Sequence, residues 1–292
     1  MTEVQSALFS EDEVGSRFRS ALERYGVWPT TIWPVDHADA CHRTLLDELG
    51  DDGAVRKGVL KVGCFGAKDC YRVHASLFSP VLAAFIVNAF APETGLCLDP
   101  FAGGGTRAIM AASRGLDYFG TELRESEVEA VRARVHKRGL TPKIKIVHGD
   151  AREVDKWLAA EGRGKADFLL TCPPYWNLER YRGGQADLSE CATYPAFLEA
   201  LGETIAATHR ALKPKAKACW VVGLQRTADG ILLPLHHDTA RLHSANGFRL
   251  LEEVIVHHDR TGAIQRVGQF EKGNKHLVRV HEYLLVFERC GA

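Results

Sequence analysis

Leu96-Cys-Leu-Asp-Pro-Phe-Ala-Gly-Gly-Gly-Thr106 reads as a short buried strand, a glycine-rich turn and the opening of a helix. Glycines at 103, 104 and 105 let a backbone pass close to a ligand without a Cβ in the way. The spacing predicts a helix from about Thr106 to Arg114, closed by Gly115. Tyr118-Phe119 is a second strand ending at Thr121-Glu122. Ser126-Glu-Val-Glu129 is a capping box for a helix that stops at Gly139. Ile144 to Val147 is a third strand, ending in His148-Gly149-Asp150. Upstream, Ser79-Pro80 supplies an N-cap and a first-turn proline ahead of Val81, Leu82, Phe85, Ile86 and Phe90 at helical spacing.

The alternation continues downstream. Phe168-Leu169-Leu170 is a strand that leads into Thr171-Cys-Pro-Pro-Tyr-Trp176. A helix from about Tyr194 carries Phe197, Leu198, Leu201, Ile205 and Leu212 on one face, and Lys213-Pro214 stops it. Cys219 to Val222 is a strand, and a short helix near Asp238 to Asn246 ends at Gly247. Leu250 to Val256 and His281 to Phe287 are late strands around a basic segment. Such alternation predicts an α/β, doubly wound and mostly parallel sheet with an antiparallel C-terminal strand pair at its edge. Ligands of such sheets sit at the carboxyl ends of the strands, where the polar motifs here lie. Residues 1–70, with Trp28-Pro29, Trp33-Pro34 and Asp51-Asp52-Gly53, lack periodicity. They read as an extension packed on a core formed by residues 71–292.

Composition bounds the rest. The chain has 292 residues, 46% apolar and 25% charged, which is globular and not disordered. Apolar runs fall short of the ~20 residues that cross a bilayer, and the acidic start lacks a secretory pattern. Lys+Arg and Asp+Glu are both 37, which excludes nucleic-acid binding by bulk charge but not by a local basic groove. The 8 cysteines contain no CxxC pair and fit reduced thiols in the cytoplasm. Cys41, Cys64 and Cys70 with His42 or His74 match no common zinc module, so no metal is expected.

The glycine turn gains meaning from two acids. Glu122 closes the second strand 19 residues after Gly103, where a carboxylate can accept both hydroxyls of a ribose. Asp150 closes the third, where it can accept from an adenine amino group. No Gly-Lys-Ser/Thr follows the glycines, and Asp99 would repel a pyrophosphate. An acidic, phosphate-free nucleoside pocket suits S-adenosylmethionine better than NAD.

In Thr171-Cys-Pro-Pro-Tyr-Trp176, two prolines fix φ twice and remove two N–H donors. Their carbonyls are held at the sheet edge, where one can orient an amino group. Tyr175 offers a face to a planar base. The pair DPFAGGGT (99–106) and TCPPY (171–175) resembles the amino-methyltransferases of DNA, with their DPFxGxGT and (D/N/S)PP(Y/F) motifs. More narrowly it is similar to phage- and prophage-type DNA methylases, collinearly over about residues 72–290. The resemblance implies a Rossmann-like methyltransferase fold, S-adenosylmethionine as cofactor and double-stranded DNA as partner. It implies that Asp99, Phe101, Gly103 and Gly105 line the methionine end of the donor. Ser76, Phe78 and Ser79 would close over its carboxylate, with Glu122 on the ribose and Asp150 on the adenine. Cys172, Pro173, Pro174 and Tyr175 would form the catalytic loop. Cys172 departs from the usual Asp, Asn or Ser, and sulfur is a weak acceptor. The Pro173 carbonyl is then expected to carry more of the hydrogen bonding. A covalent role for Cys172 needs a thiolate and the reverse, Pro-Cys, order.

Two segments suit a nucleic-acid backbone: the loop bearing Arg180, Tyr181 and Arg182, and the stretch with Arg260, Arg266, Lys272, Lys275 and Arg279. A solvated hairpin face is the plain alternative for the second. The target base must be flipped out of its stack. Cytosine N4 is favoured over adenine N6, because TCPPY is nearer to Ser-Pro-Pro-Tyr than to Asp-Pro-Pro-Tyr. RNA or a protein glutamine is the alternative methyl acceptor, and a catalytically silent DNA-binding protein is the reading from another class.

Overall fold

The computed structural model describes residues 31–35, 78–181, 183–227, 229–258, 277 and 279–291. The strands are β1 (Ile32–Val35), β2 (Leu96–Asp99), β3 (Asp117–Glu122), β4 (Ile144–His148), β5 (Ala166–Thr171), β6 (Leu212–Val222), β7 (Gln225–Arg226), β8 (Leu232–Leu233), β9 (Phe248–His258) and β10 (His281–Arg289). The helices are α1 (Pro80–Phe90), α2 (Thr106–Ser113), α3 (Glu125–Lys137), α4 (Val154–Ala160), α5 (Tyr194–Ala211) and α6 (Leu235–Ala245). One eight-stranded sheet runs β1-β9-β10-β6-β5-β2-β3-β4, and β7 pairs with β8 apart from it. Strands β6, β5, β2, β3 and β4 are parallel, and β10 is antiparallel to both its neighbours.

From β2 the chain steps outward to β3 and β4, then crosses back to β5 on the other side of β2. Neighbouring strands β2 and β5 therefore send their following loops in diverging directions. That reversal opens a crevice at their carboxyl ends. The sheet is buried on both faces. Helices α1, α2 and α3 cover one, over Cys97, Tyr118, Phe168, Val221 and Leu284. The other is covered by α4, α5 and α6, over Leu98, Phe119, Leu169, Trp220 and Phe287. The alternation of Leu98 with Cys97 and of Leu169 with Phe168 is the period-two signature of a strand with two apolar faces.

Several sequence expectations need correction. Helix α3 starts at Glu125 with Arg124 as N-cap and no side-chain cap, so Ser126 lies inside the first turn and the capping box is not formed. Glu125 and Glu127 stabilise that end through the helix dipole instead. Lys213-Pro214 does not separate helix from strand. α5 ends at Ala211 and β6 begins at Leu212, with Lys215 at φ 66°. The ladder to β5 jumps from Ala166↔Leu212 to Phe168↔Lys217, so the proline sits in a bulge, where its missing N–H costs no ladder bond. The antiparallel pair is not outermost, because β1 adds in parallel beyond β9. Trp33 in β1 is buried and stacks on Phe90 at 5.9 Å. At the opposite end of the sheet, Arg132 donates from Nε and Nη2 to the Ile146 carbonyl of β4. Trp28-Pro29, Asp51-Asp52-Gly53, Cys41, Cys64, Cys70, His42 and His74 lie outside the described residues. Among the described residues no helix is long and apolar enough to cross a membrane.

His243 of α6 is an unusual core residue. It is fully buried, its ring lies flat on Phe287 at 3.8 Å, and its Nδ1 meets the Thr239 carbonyl at 2.8 Å. Burial pushes its pKa down from 6.5 to about 3. The folded state thus keeps His243 neutral while the unfolded chain binds a proton below pH 6.5. Stability from this group is complete above pH 6.5 and is lost as pH falls towards 3. His243 alone should lower unfolding free energy by about 2 kcal/mol between pH 7 and pH 5. Urea titrations of wild type and His243→Phe at the two pH values should show a shallower acid slope in the variant.

Candidate active site

The turn after β2 is organised around Asp99. Its side chain is fully buried and accepts Arg107 Nε at 2.7 Å, Tyr118 OH at 2.8 Å, Thr171 Oγ1 at 2.6 Å and Phe101 N at 3.0 Å. These donors come from α2, β3, the end of β5 and the turn itself. Arg107 also donates to the Phe101 carbonyl, and its guanidinium lies 4.8 Å from the Phe78 ring. Asp99 therefore acts as an internal anchor, with both oxygens engaged by the protein. Its charge is balanced by Arg107, so the expectation that it repels a phosphate is corrected: the ion pair cancels that field.

The glycines then carry the chain over the crevice. Gly103 has φ 52°, and a Cβ there would find nothing nearer than the Phe101 oxygen at 3.7 Å; the turn's outer face is open. Gly105, the N-cap of α2, has φ 80°, and a Cβ would meet Val131 Cγ1 at 2.5 Å. Here glycine is needed both for the left-handed backbone and for the close approach of α3. Glu122 Oε2 accepts Gly103 N at 3.1 Å, and its Oε1 accepts Arg124 N and Nε. Oε1 is thus engaged twice, while Oε2 retains a lone-pair site for a ribose hydroxyl. Asp150 caps the 3₁₀ turn at 151–153, and Arg152 donates to both its oxygens, from Nε to Oδ1 at 3.1 Å and from Nη2 to Oδ2 at 2.6 Å. Ser79 accepts Leu82 N at 3.3 Å as the N-cap of α1. Ser76 lies outside the described residues.

The second loop leaves β5 beside this turn, and the Thr171–Asp99 bond ties the two together. Tyr175 OH and Cys172 Sγ are 3.2 Å apart. The tyrosine ring rests on Gly223 at the end of β6, where a Cβ would lie 2.4 Å from Tyr175 Cε2. Trp176 has φ 52°, an uncommon backbone for a bulky residue. Its indole donates to the Cys191 carbonyl at 2.9 Å and packs on Tyr194, which fixes the exit of the loop. Burial pushes the Cys172 thiol up to about 12, partly opposed by Arg107, and Glu282 of β10 adds to the rise. Burial likewise raises the Tyr175 phenol. Both groups are neutral at physiological pH, and Cys172 is a thiol, not a thiolate nucleophile.

Asp99, Phe101, Gly103, Gly105, Glu122, Cys172, Pro173, Pro174 and Tyr175 thus meet at one edge, with Asp150 at the neighbouring strand end. Arg107, Tyr118, Gly223 and Glu282 are further residues at this edge that motif reading missed, and Thr171, the first residue of the TCPPY motif, is bound to Asp99. Arg107 alone left a signal, as the single charge in Thr106-Arg-Ala-Ile-Met-Ala-Ala112. Arg180 is exposed beside the Pro-Pro loop, and Arg279 lies just before β10. Arg182, Arg260, Arg266, Lys272 and Lys275 lie outside the described residues.

A family model described as DNA methylase, of N6/N4 type, matches residues 7–133 and 166–292. The two stretches contain the glycine turn and the Pro-Pro loop; Asp150 falls between them. No curated protein matches the chain. Among solved structures, the 4+2 cyclase SpnF is similar at 14% identity and a TM-score of 0.53, over 90% of this chain and 100% of that one. Its likeness concerns the fold alone, a Rossmann-like α/β sheet that is mostly parallel with antiparallel C-terminal strands. TrmN from Thermus thermophilus is similar at 19% identity and a TM-score of 0.47, over 73% of this chain. The match spans 49% of TrmN, about half its length. A candidate DNA modification methylase, also from Thermus thermophilus, is 27% identical over 49% of this chain and 52% of that one, with a TM-score of 0.35.

The Asp99 anchor makes a direct prediction. Asp99→Asn keeps the shape but leaves the Arg107 cation buried without its counter-charge, which costs about 3–5 kcal/mol. A urea midpoint and a titration with S-adenosylhomocysteine should both show the loss.

Proposed function

The chain belongs to the DNA methylase family of N6-adenine and N4-cytosine type, and we propose that it methylates cytosine N4 in double-stranded DNA. S-Adenosylmethionine is the cofactor of this family, and it supplies a methyl carbon open to in-line attack by nitrogen. The residues present fit it. Gly103 leaves an open backbone cradle, Glu122 keeps acceptor capacity beside the cradle, and Asp150 stands at the next strand end. Asp99, Phe101 and Gly105 shape the turn that receives the methionine end, with Phe78 and Ser79 above it.

The observation that carries this reading is the Thr171–Asp99 bond of 2.6 Å, which joins the donor turn to the catalytic loop. An amine held by the Pro173 carbonyl and stacked on Tyr175 would then lie beside the turn that receives the donor. Catalysis is alignment and exclusion of water. Cys172 contributes a small neutral group that bonds the Tyr175 hydroxyl; the resemblance of TCPPY to Ser-Pro-Pro-Tyr favours cytosine as target. Arg180, Arg182, Arg260, Arg266, Lys272, Lys275 and Arg279 would bind phosphates. We read residues 71–292 as the catalytic domain and 1–70 as its extension. The five free cysteines among the described residues fit a reducing, cytoplasmic setting.

Labelled S-adenosylmethionine with unmethylated duplex DNA, followed by nucleoside mass spectrometry, tests the reading. N4-methylcytosine is expected. N6-methyladenine would overturn the choice of base, and label found only in RNA or protein would overturn the choice of DNA. The same assay should find Cys172→Ser within about threefold of wild type, because alignment survives. Pro173→Ala and Tyr175→Ala should each lose about 100-fold or more, the scale of a misplaced reactant. Loss of activity in Cys172→Ser together with a covalent adduct to 5-fluorocytosine DNA would establish a nucleophilic cysteine instead.

A further inference from the structure

Strand β10 brings a carboxylate to the Pro-Pro loop from outside both motifs. Leu284 and Val286 lie on the same face of the sheet as Cys97 and Val221. By the period of a strand, Glu282 continues that row at the carboxyl edge. Register fixes what lies opposite it. Leu284 pairs with Val221 and Tyr283 with Val222, so the next step of this antiparallel ladder sets Glu282 across from Gly223. Residues opposite each other point to one face, with Cβ atoms about 4.5–5.5 Å apart. Gly223 is the seat of the Tyr175 ring, where a Cβ would lie 3.1 Å from Cζ, the atom that bears the hydroxyl. Glu282, half-buried, is therefore a neighbour of the Tyr175 ring. Its charge is felt there: the Cys172 thiol and the Tyr175 phenol, each raised first by burial, are raised further by Glu282.

That position meets a need the Pro-Pro loop leaves open. An exocyclic amine attacks a methyl carbon only when its lone pair faces that carbon, so both N–H bonds have to be directed elsewhere. The Pro173 carbonyl can take one. For the other, Cys172 offers a weak acceptor, and its Sγ already lies 3.2 Å from Tyr175 OH. A carboxylate is a good acceptor for the N4 amino group of cytosine. Its two oxygens offer about four acceptor sites, so a bond made elsewhere leaves room.

We propose that Glu282 is the second acceptor for the target amine, holding it from β10 while the Pro173 carbonyl holds it from the loop. This rests on the DNA-methylation reading and adds to it a residue that neither motif contains. The nitrogen lone pair forms the bond to the methyl carbon as the carbon–sulfur bond breaks, its electrons going to sulfur to leave S-adenosylhomocysteine. The nitrogen, now cationic, then sheds a proton along its hydrogen bond to the Glu282 carboxylate, which passes it to water.

The test pairs kcat on duplex DNA with affinity for S-adenosylhomocysteine. Glu282→Ala should lower kcat by about tenfold or more, the scale of a lost hydrogen bond to a charged group, and leave that affinity within about twofold of wild type. Because proton loss follows methyl transfer, Glu282→Gln, which keeps the length and one acceptor oxygen, should lose less than about fivefold. Cys172→Asn puts a carbonyl acceptor on the loop. Added to Glu282→Ala it should recover about fivefold or more, and added to wild type it should gain far less. Glu282→Ala within about twofold of wild type would overturn the proposal. So would a loss that Cys172→Asn leaves unrepaired, because a merely structural glutamate gains nothing from an acceptor at 172. Wild type that transfers no methyl group to duplex DNA would instead refute the reading on which the proposal rests.

Discussion

The Asp99–Arg107 pair, closed by Tyr118 and Thr171, is the constraint on which the site depends. A carboxylate with no solvent exposure is costly unless each lone pair finds a donor. Four elements meet that demand: the turn after β2, helix α2, strand β3 and the end of β5. The same bonds that satisfy one buried charge therefore set the relative positions of the two loops. Had Asp99 been an ordinary solvent-facing residue, the loops could shift independently, and an alignment mechanism would have little to rely on.

The rest of the architecture serves this contact. The chain reverses direction between β2 and β5, so the two loops diverge from adjacent strands and leave room between them. Glycine is used where space is decisive. At 105 it lets α3 approach the turn, and at 223 it gives the Tyr175 ring a seat. Aromatic packing holds the outer side of the Pro-Pro-Tyr loop, through Trp176 on Tyr194 and Tyr194 on Phe197. Rigidity at the chemistry is thus supplied by neighbouring elements, while the exposed hairpin next to it faces outward.

Much of this was legible in residue order. Apolar pairs such as Leu98 and Leu169, followed by polar motifs, marked the central strands and the edge at which ligands collect. The DPF turn, Glu122 and the Pro-Pro-Tyr loop were recognisable because each has a local pattern. What escaped was long-range or too short to have a period. Strand β1 contains four residues with a proline among them, and only its partner β9 makes it a strand. The β7–β8 hairpin has two-residue strands, below any detectable alternation. Tyr118 looked like an ordinary strand residue, and Thr171 like the first letter of a loop motif, until Asp99 was seen between them. The capping box at Ser126 failed for a different reason: Glu125 already begins the helix, and the dipole is answered by two glutamates without a cap.

The two ends of the sheet bear on how the protein behaves when crowded. An open strand edge presents unpaired donors and acceptors that can recruit another chain. At one end, Pro34 of β1 has no N–H to offer; at the other, the Ile146 carbonyl is already taken by Arg132. Among the described residues, each margin is blunted by a single residue. A described sheet of eight strands built this way is poorly suited to growing by addition of copies of itself.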